Sequence, residues 1–77
     1  MPRVTKTDIP FDRGSFAGLT VPKGQPVRPA GYLHNDMPVY WVLGAAYFIP
    51  RGSIYLHDAI HYGIAVTEDQ TEEISHA

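Results

Sequence analysis

The chain contains no cysteine, which excludes disulfides and thiolate metal sites and is consistent with a reducing compartment. It holds no apolar run near the roughly 20 residues that a membrane-crossing helix needs. Its opening, MPRVTKTDIP, carries no apolar stretch of the secretory-signal kind. A soluble, cytoplasmic protein that spans no membrane is therefore expected. Basic residues are scarce and scattered singly, at Arg3, Lys6, Arg13, Lys23, Arg28 and Arg51. Nucleic-acid binding needs clustered phosphate contacts, so that class is excluded. No glycine-rich phosphate loop is present, because the glycines fall in turn contexts rather than between a strand and a helix. Ser15 and Ser53 have no histidine and carboxylate in a recognisable order, and no internal repeat or low-complexity segment occurs.

What remains is a small single domain of 77 residues. A chain of this length buries a modest fraction of its surface and is marginally stable unless something assists it. Without cysteine, the available aids are a well-packed core, a histidine or carboxylate metal site, or self-association. The net charge of −2 is unevenly spread. Residues 1–30 hold Arg3, Lys6, Arg13, Lys23 and Arg28 against Asp8 and Asp12, whereas residues 31–77 hold only Arg51 against six acids. The simple reading is a solvated basic arm and a solvated acidic tail; the sharper one is that arm and tail pair.

Residues 1–13 show no periodic pattern and read as a polar N-terminal arm, with a β-rich domain over 14–77. The segment FAGLTV-PKG-QPVRP places two apolar runs around Pro22-Lys23-Gly24, a proline-glycine turn. A hairpin is expected there, with strands near 16–21 and 25–28, the second at a sheet edge because Pro26 lacks an N–H. Residues 29–37 read as a loop.

From Pro38 to Ile49 no residue is charged. A helix there would be apolar on every side, and valine and aromatics favour strands. A strand is predicted, bent at Gly44-Ala45-Ala46. Val39, Trp41 and Leu43 fall on one of its faces and Tyr40 and Val42 on the other, so both faces are apolar. After the turn Ile49-Pro50-Arg51-Gly52, a three-residue loop at His57-Asp58-Ala59 would make a second hairpin. Its register places Ile54, Leu56, Ile60, Tyr62, Ile64 and Val66 on one face. Thr67 with Gln70 reads as a capping box that opens a short C-terminal helix. The predicted fold is mainly β, a small antiparallel barrel or sandwich of about five strands with that short helix.

A doubly apolar strand must be covered twice. One face packs on the chain's own core; the other calls for a second subunit, another protein or a small apolar ligand. Tyr40, Trp41, Tyr47, Phe48, Tyr55 and Tyr62 are the candidate interface residues, since aromatics dominate binding hot spots. A homo-oligomer, most simply a two-fold dimer, is expected, with no cofactor.

The alternative site is a divalent metal held by His34, His57 and His61. Two histidines four apart share a metal when they stand on a helix. In the hairpin register His57 lies in a loop and His61 on a strand, which does not repeat that geometry, so no zinc site is predicted at the pair. His76 lies in the C-terminal tail.

One family resemblance bears on this alternative. The segment from His34 to Gly44, HNDMPVYWVLG, resembles the first motif of the cupins, in which a metal-binding histidine is followed by a glutamate and a strand ending in glycine. Gly44-x5-Pro50-Arg51-Gly52 is similar to the start of the second cupin motif, G-x5-P-x-G-x2-H. The resemblance covers residues 34–52 and implies a shortened barrel related to metal-dependent enzymes. Only His34 carries over as a ligand: Pro38 stands at the glutamate, Tyr32 at the paired histidine and Tyr55 at the second-motif histidine, with His57 two residues late.

Overall fold

The computed structural model describes residues 2–74. Its architecture is mainly β and antiparallel. Among the described residues there are seven strands: β1 (Arg3–Thr5), β2 (Ile9–Pro10), β3 (Thr20–Val21), β4 (Pro26–His34), β5 (Met37–Val42), β6 (Ala65–Thr67) and β7 (Thr71–Glu73). One α-helix, α1 (Ile54–Tyr62), joins β5 to β6. Five strands make one sheet in the order β6-β5-β4-β1-β7, and β2 pairs with β3 in a second, two-stranded sheet. The edge strands β6 and β7 are consecutive in the chain, separated only by the single 3-10 turn Glu68–Gln70. The sheet therefore curls into a half-barrel whose opposite edges meet at that corner.

The concave side holds the core. Ile9, Leu19, Val21, Val27, Val42, Ile49, Ile64 and Val66 form one buried cluster, with Phe11, Phe16, Tyr40, Phe48, Tyr55 and Leu56 packed against it. Thr5 is a buried polar residue within this shell. Its hydroxyl donates to the Pro22 carbonyl at 2.7 Å and accepts the Gln25 N–H at 2.9 Å. Those two bonds satisfy both capacities of the hydroxyl and tie the Pro22–Gly24 turn to β1.

Several local expectations give way to this topology. The proline-glycine turn at 22–24 is present but does not close a hairpin. Its preceding strand, β3, pairs with β2, and its following strand, β4, pairs with β5 and β1. Pro26 lies in the middle of the sheet rather than at an edge, opposite Val4. Residues 2–13 are not an arm: β1 is the fourth strand of the five, and Ile9 belongs to the core. Basic start and acidic end do pair, with Arg3 Nη1 3.7 Å from Glu73 Oε1 across β1 and β7.

The expected loop at 29–37 is the centre of the longest hairpin. Asn35 and Asp36 both take positive φ, 51° and 62°, and connect His34 to its partner Met37. A two-residue loop of this kind matches the twist of its strands, and Asn and Asp tolerate the left-handed conformation. The register of β4 against β5 shifts between Pro29 and Leu33, a bulge that includes Gly31 at φ 86°.

The expected 54–66 hairpin is a helix as far as Tyr62. The residues Ile54, Leu56, Ile60 and Tyr62 alternate, but Tyr55, Leu56 and Ala59 also fit one helical face, and these are the ones that pack on the core. The flanks decide. Ser53 Oγ accepts the Tyr55 N–H at 3.2 Å, and Gly63, at φ 78°, closes the last turn through its N–H to the Ala59 carbonyl at 3.1 Å. The capping box forms as expected, with the Thr67 N–H donating to Gln70 Oε1 at 3.1 Å. It opens only one 3-10 turn before β7, so the short helix of the fold lies at 54–62 and not at the C-terminus.

Candidate functional site

The two faces of β5 are covered differently from expectation. Tyr40 and Val42 face the core. On the outer face, Val39 is buried and Trp41 is half-buried without any partner molecule. The β4 bulge provides the cover: it carries Tyr32 over this face, edge-on to Trp41 with ring centroids 6.0 Å apart. The other side of the Trp41 ring rests on Gly63, where an added Cβ would meet ring atoms at 3.0 Å. Beside Tyr32 lies a shallow groove of about 270 Å³ lined by His34, Val39, Ala65, Thr67 and Gln70.

Exposed apolar side chains occur on β4, where Leu33 is 61 % exposed, and in the greatest number on and beside α1. Its inward side is Tyr55, Leu56 and Ala59. At 100° per residue, His57, His61 and Ile54 lie opposite that side, and Ile60 and Tyr62 lie on its two flanks, about 160° apart. Ile54 is 74 %, Ile60 72 % and Tyr62 74 % exposed, and Asp58 is the only charged residue of the helix. Between α1 and the outer face of the sheet is a hollow of about 280 Å³, bordered by Ile60, Tyr62, Gly63, Trp41 and Leu43, with Arg28 on its lining. The Ala45–Tyr47 turn packs beside α1 and leaves Tyr47 92 % exposed.

The six aromatic candidates therefore separate. Tyr40, Phe48 and Tyr55 pack on the core, and the Tyr55 hydroxyl also donates to the Ala17 carbonyl. Trp41 floors the hollow, and Tyr47 and Tyr62 are exposed. Sequence reasoning missed Ile54, Ile60 and Leu43 as surface residues. The signal for the two isoleucines was the Ser53 cap with Gly63 ten residues on, which turns an alternating strand into a helix with an outward apolar side.

The histidines divide as well. His34 ends β4 and lines the Tyr32 groove. His57 and His61 stand on α1 with ring centroids 4.3 Å apart and an interplanar angle of 41°, so the geometry that a hairpin would have denied them is present. Asp58 Oδ1 lies 3.5 Å from His57 Nδ1. Among the described residues no three His, Cys, Asp or Glu side chains converge on one point, so His34 does not join the pair. His76 lies outside the described residues. Of the residues that carry the cupin resemblance, Pro38 is in β5, Tyr32 in the β4 bulge and Tyr55 in α1.

A second polar arrangement sits on the concave side. The Arg3 side chain is 18 % exposed, donates from Nε to Thr71 Oγ1 at 2.6 Å and places its guanidinium 5.0 Å from the centre of the Tyr40 ring. These contacts all lie within the chain and tie β1 to β7 and β5.

Among the described residues no helix is long and apolar enough to cross a membrane. No protein-family model matches the chain, and no curated protein or solved structure matches it either.

Proposed function

We propose that this chain is a non-enzymatic binding module that associates with a second copy of itself through the outward side of α1 and the hollow beside it. The observation that carries this reading is the exposure of Ile54, Ile60 and Tyr62, each 72–74 % open on one nine-residue helix that carries a single charge. Exposed apolar side chains gathered on one element mark interfaces, and burying an isoleucine contributes about 1.5–3 kcal/mol. A second copy is the favoured occupant because the patch is self-complementary. It offers a protruding helix beside a hollow that Arg28 lines. A two-fold axis sets each of these against its counterpart twice. A standard interface takes about 800 Å² from each partner, a modest share of the 5341 Å² that one chain exposes. A cytoplasmic setting belongs to the same reading, motivated by the lack of cysteine.

Light scattering after size exclusion tests this directly. The expected mass is twice the 8.6 kDa of one chain, falling to a single chain in Ile60→Glu. A wild-type protein that stays at 8.6 kDa at every concentration tried removes self-association and leaves a different protein or a small apolar ligand as the occupant of the hollow.

A further inference from the structure

We infer that His57 and His61 are half of a zinc-class metal site, completed by the same two residues of a second copy, so that one ion joins two chains across α1; this rests on the self-association proposed above and gives it a chemistry. The spacing supplies the geometry. Residues four apart on an α-helix are neighbours on one side of it, and the two rings are already 4.3 Å apart between centroids. Two nitrogens bound to one tetrahedral zinc, each at about 2.0–2.1 Å, are about 3.4 Å from each other. Two imidazoles sharing a tetrahedral zinc have ring centres about 5 Å apart, so the two rings must open by roughly 1 Å to take the ion. His57 is free to move, since its side chain is 70 % exposed and holds nothing in the core.

A second observation points the same way. Asp58 Oδ1 lies 3.5 Å from His57 Nδ1. In metal sites a carboxylate beside one ring nitrogen orients the imidazole so that its other nitrogen faces the ion. Paired imidazoles suit zinc, nickel and copper, whereas magnesium and calcium take oxygen ligands. One chain is an incomplete site, because no third ligand joins the pair among the described residues. Structural zinc takes four protein ligands. A two-fold axis beside His57 and His61 supplies the missing two as the identical pair, with Ile54 and Ile60 on either side of it.

The experiment uses the full chain without a histidine tag. Zinc chloride is titrated calorimetrically, and mass is followed by sedimentation with zinc, with magnesium and with chelator. The expected result is one zinc per pair of chains, tighter association with zinc and no response to magnesium. His57→Ala and His61→Ala, which keep a good helix former in place and whose folding is checked by circular dichroism, lose the zinc response. Asp58→Asn binds zinc about tenfold more weakly, and His76→Ala binds it normally. Dimers that persist in chelator while the protein takes up no zinc overturn the metal site and leave self-association standing. One zinc per chain with no change of mass overturns the sharing of the ion, and a protein that is also monomeric without metal removes the self-association reading with it. Zinc uptake that survives the double histidine variant, or is lost in His76→Ala, overturns the assignment of the ligands.

Discussion

Strand β5 and helix α1 are composed alike and placed differently. MPVYWV carries no charge and IYLHDAIHY carries one. Yet β5 ends covered on both faces, whereas α1 is covered on one side and open on the other. The cause is position in the chain, not apolar content. β5 lies between β4 and β6, and both neighbours bring cover for its outer face. The β4 bulge lifts Tyr32 over Val39 and Trp41, and Gly63, two residues before β6, comes close enough to the indole to leave no room for a Cβ. α1 is a crossover segment on the flank of the sheet. Nothing in the described chain lies outside it, so Ile54, Ile60 and Tyr62 face water. An uncharged run thus says that cover is needed, but only the path of the chain says whether the chain provides it.

The sharpest way to break this comparison is to remove the same kind of side chain from each region. Trp41→Ala takes away a large ring packed between Tyr32 and Gly63 and is expected to cost about 3 kcal/mol, the low end for aromatic truncation because the ring is half-buried. Urea unfolding monitored by circular dichroism gives the value. A cost near zero means that the outer face of β5 is not covered from within the chain, and that the partner expected there from composition is needed after all. Gly63→Ala probes the same contact from the other side with a smaller effect, about 1–2 kcal/mol. The added methyl would sit at φ 78° and 3.0 Å from the indole, a conformation that side chains other than glycine resist. If Gly63→Ala is neutral, the ring moves freely and the cover is loose.

How much of this was legible follows residue by residue. The antiparallel β class showed in the proline-glycine turns and in the apolar run ending at Gly44, where φ is 69° and the strand gives way to a 3-10 turn. The Thr67–Gln70 capping box was readable because both of its bonds are local. The pairing of strands was not, because partners such as Val4 and Pro26 or Arg3 and Glu73 are brought together by the curl of the whole sheet and leave no local mark. The β4–β5 hairpin was readable in principle from Asn35-Asp36, a pair that accepts left-handed backbone; the prolines on either side of it masked the strands. For the candidate site, Trp41 and Tyr62 were visible as aromatics, but the exposed isoleucines of α1 were hidden by an even-numbered alternation that fits a strand as well as a helix. The spacing of the histidine pair is legible, but the helix that makes it a pair is hidden by the same alternation.

The smallest expected effect sharpens the comparison most, because it separates folding from association. In an isolated chain, Ile54→Gln with Ile60→Gln exchanges two exposed residues for polar ones that keep helix propensity. Such surface changes usually stay within about 0.5 kcal/mol. Self-association alters this in a recognisable way. If two folded chains bind through α1, the melting midpoint of the wild type rises with protein concentration, since only the folded state dimerises. The double variant has nothing to gain from concentration. Its midpoint is expected to match the wild type in dilute solution and to fall progressively behind as both are concentrated. Differential scanning fluorimetry over a hundredfold dilution series measures both curves. Equal loss at every concentration would mean that Ile54 and Ile60 are buried within the single chain, and the contrast between a covered strand and an open helix would fail. Coincident curves that are both flat would keep the contrast but remove the partner, leaving α1 exposed without a second copy to meet it.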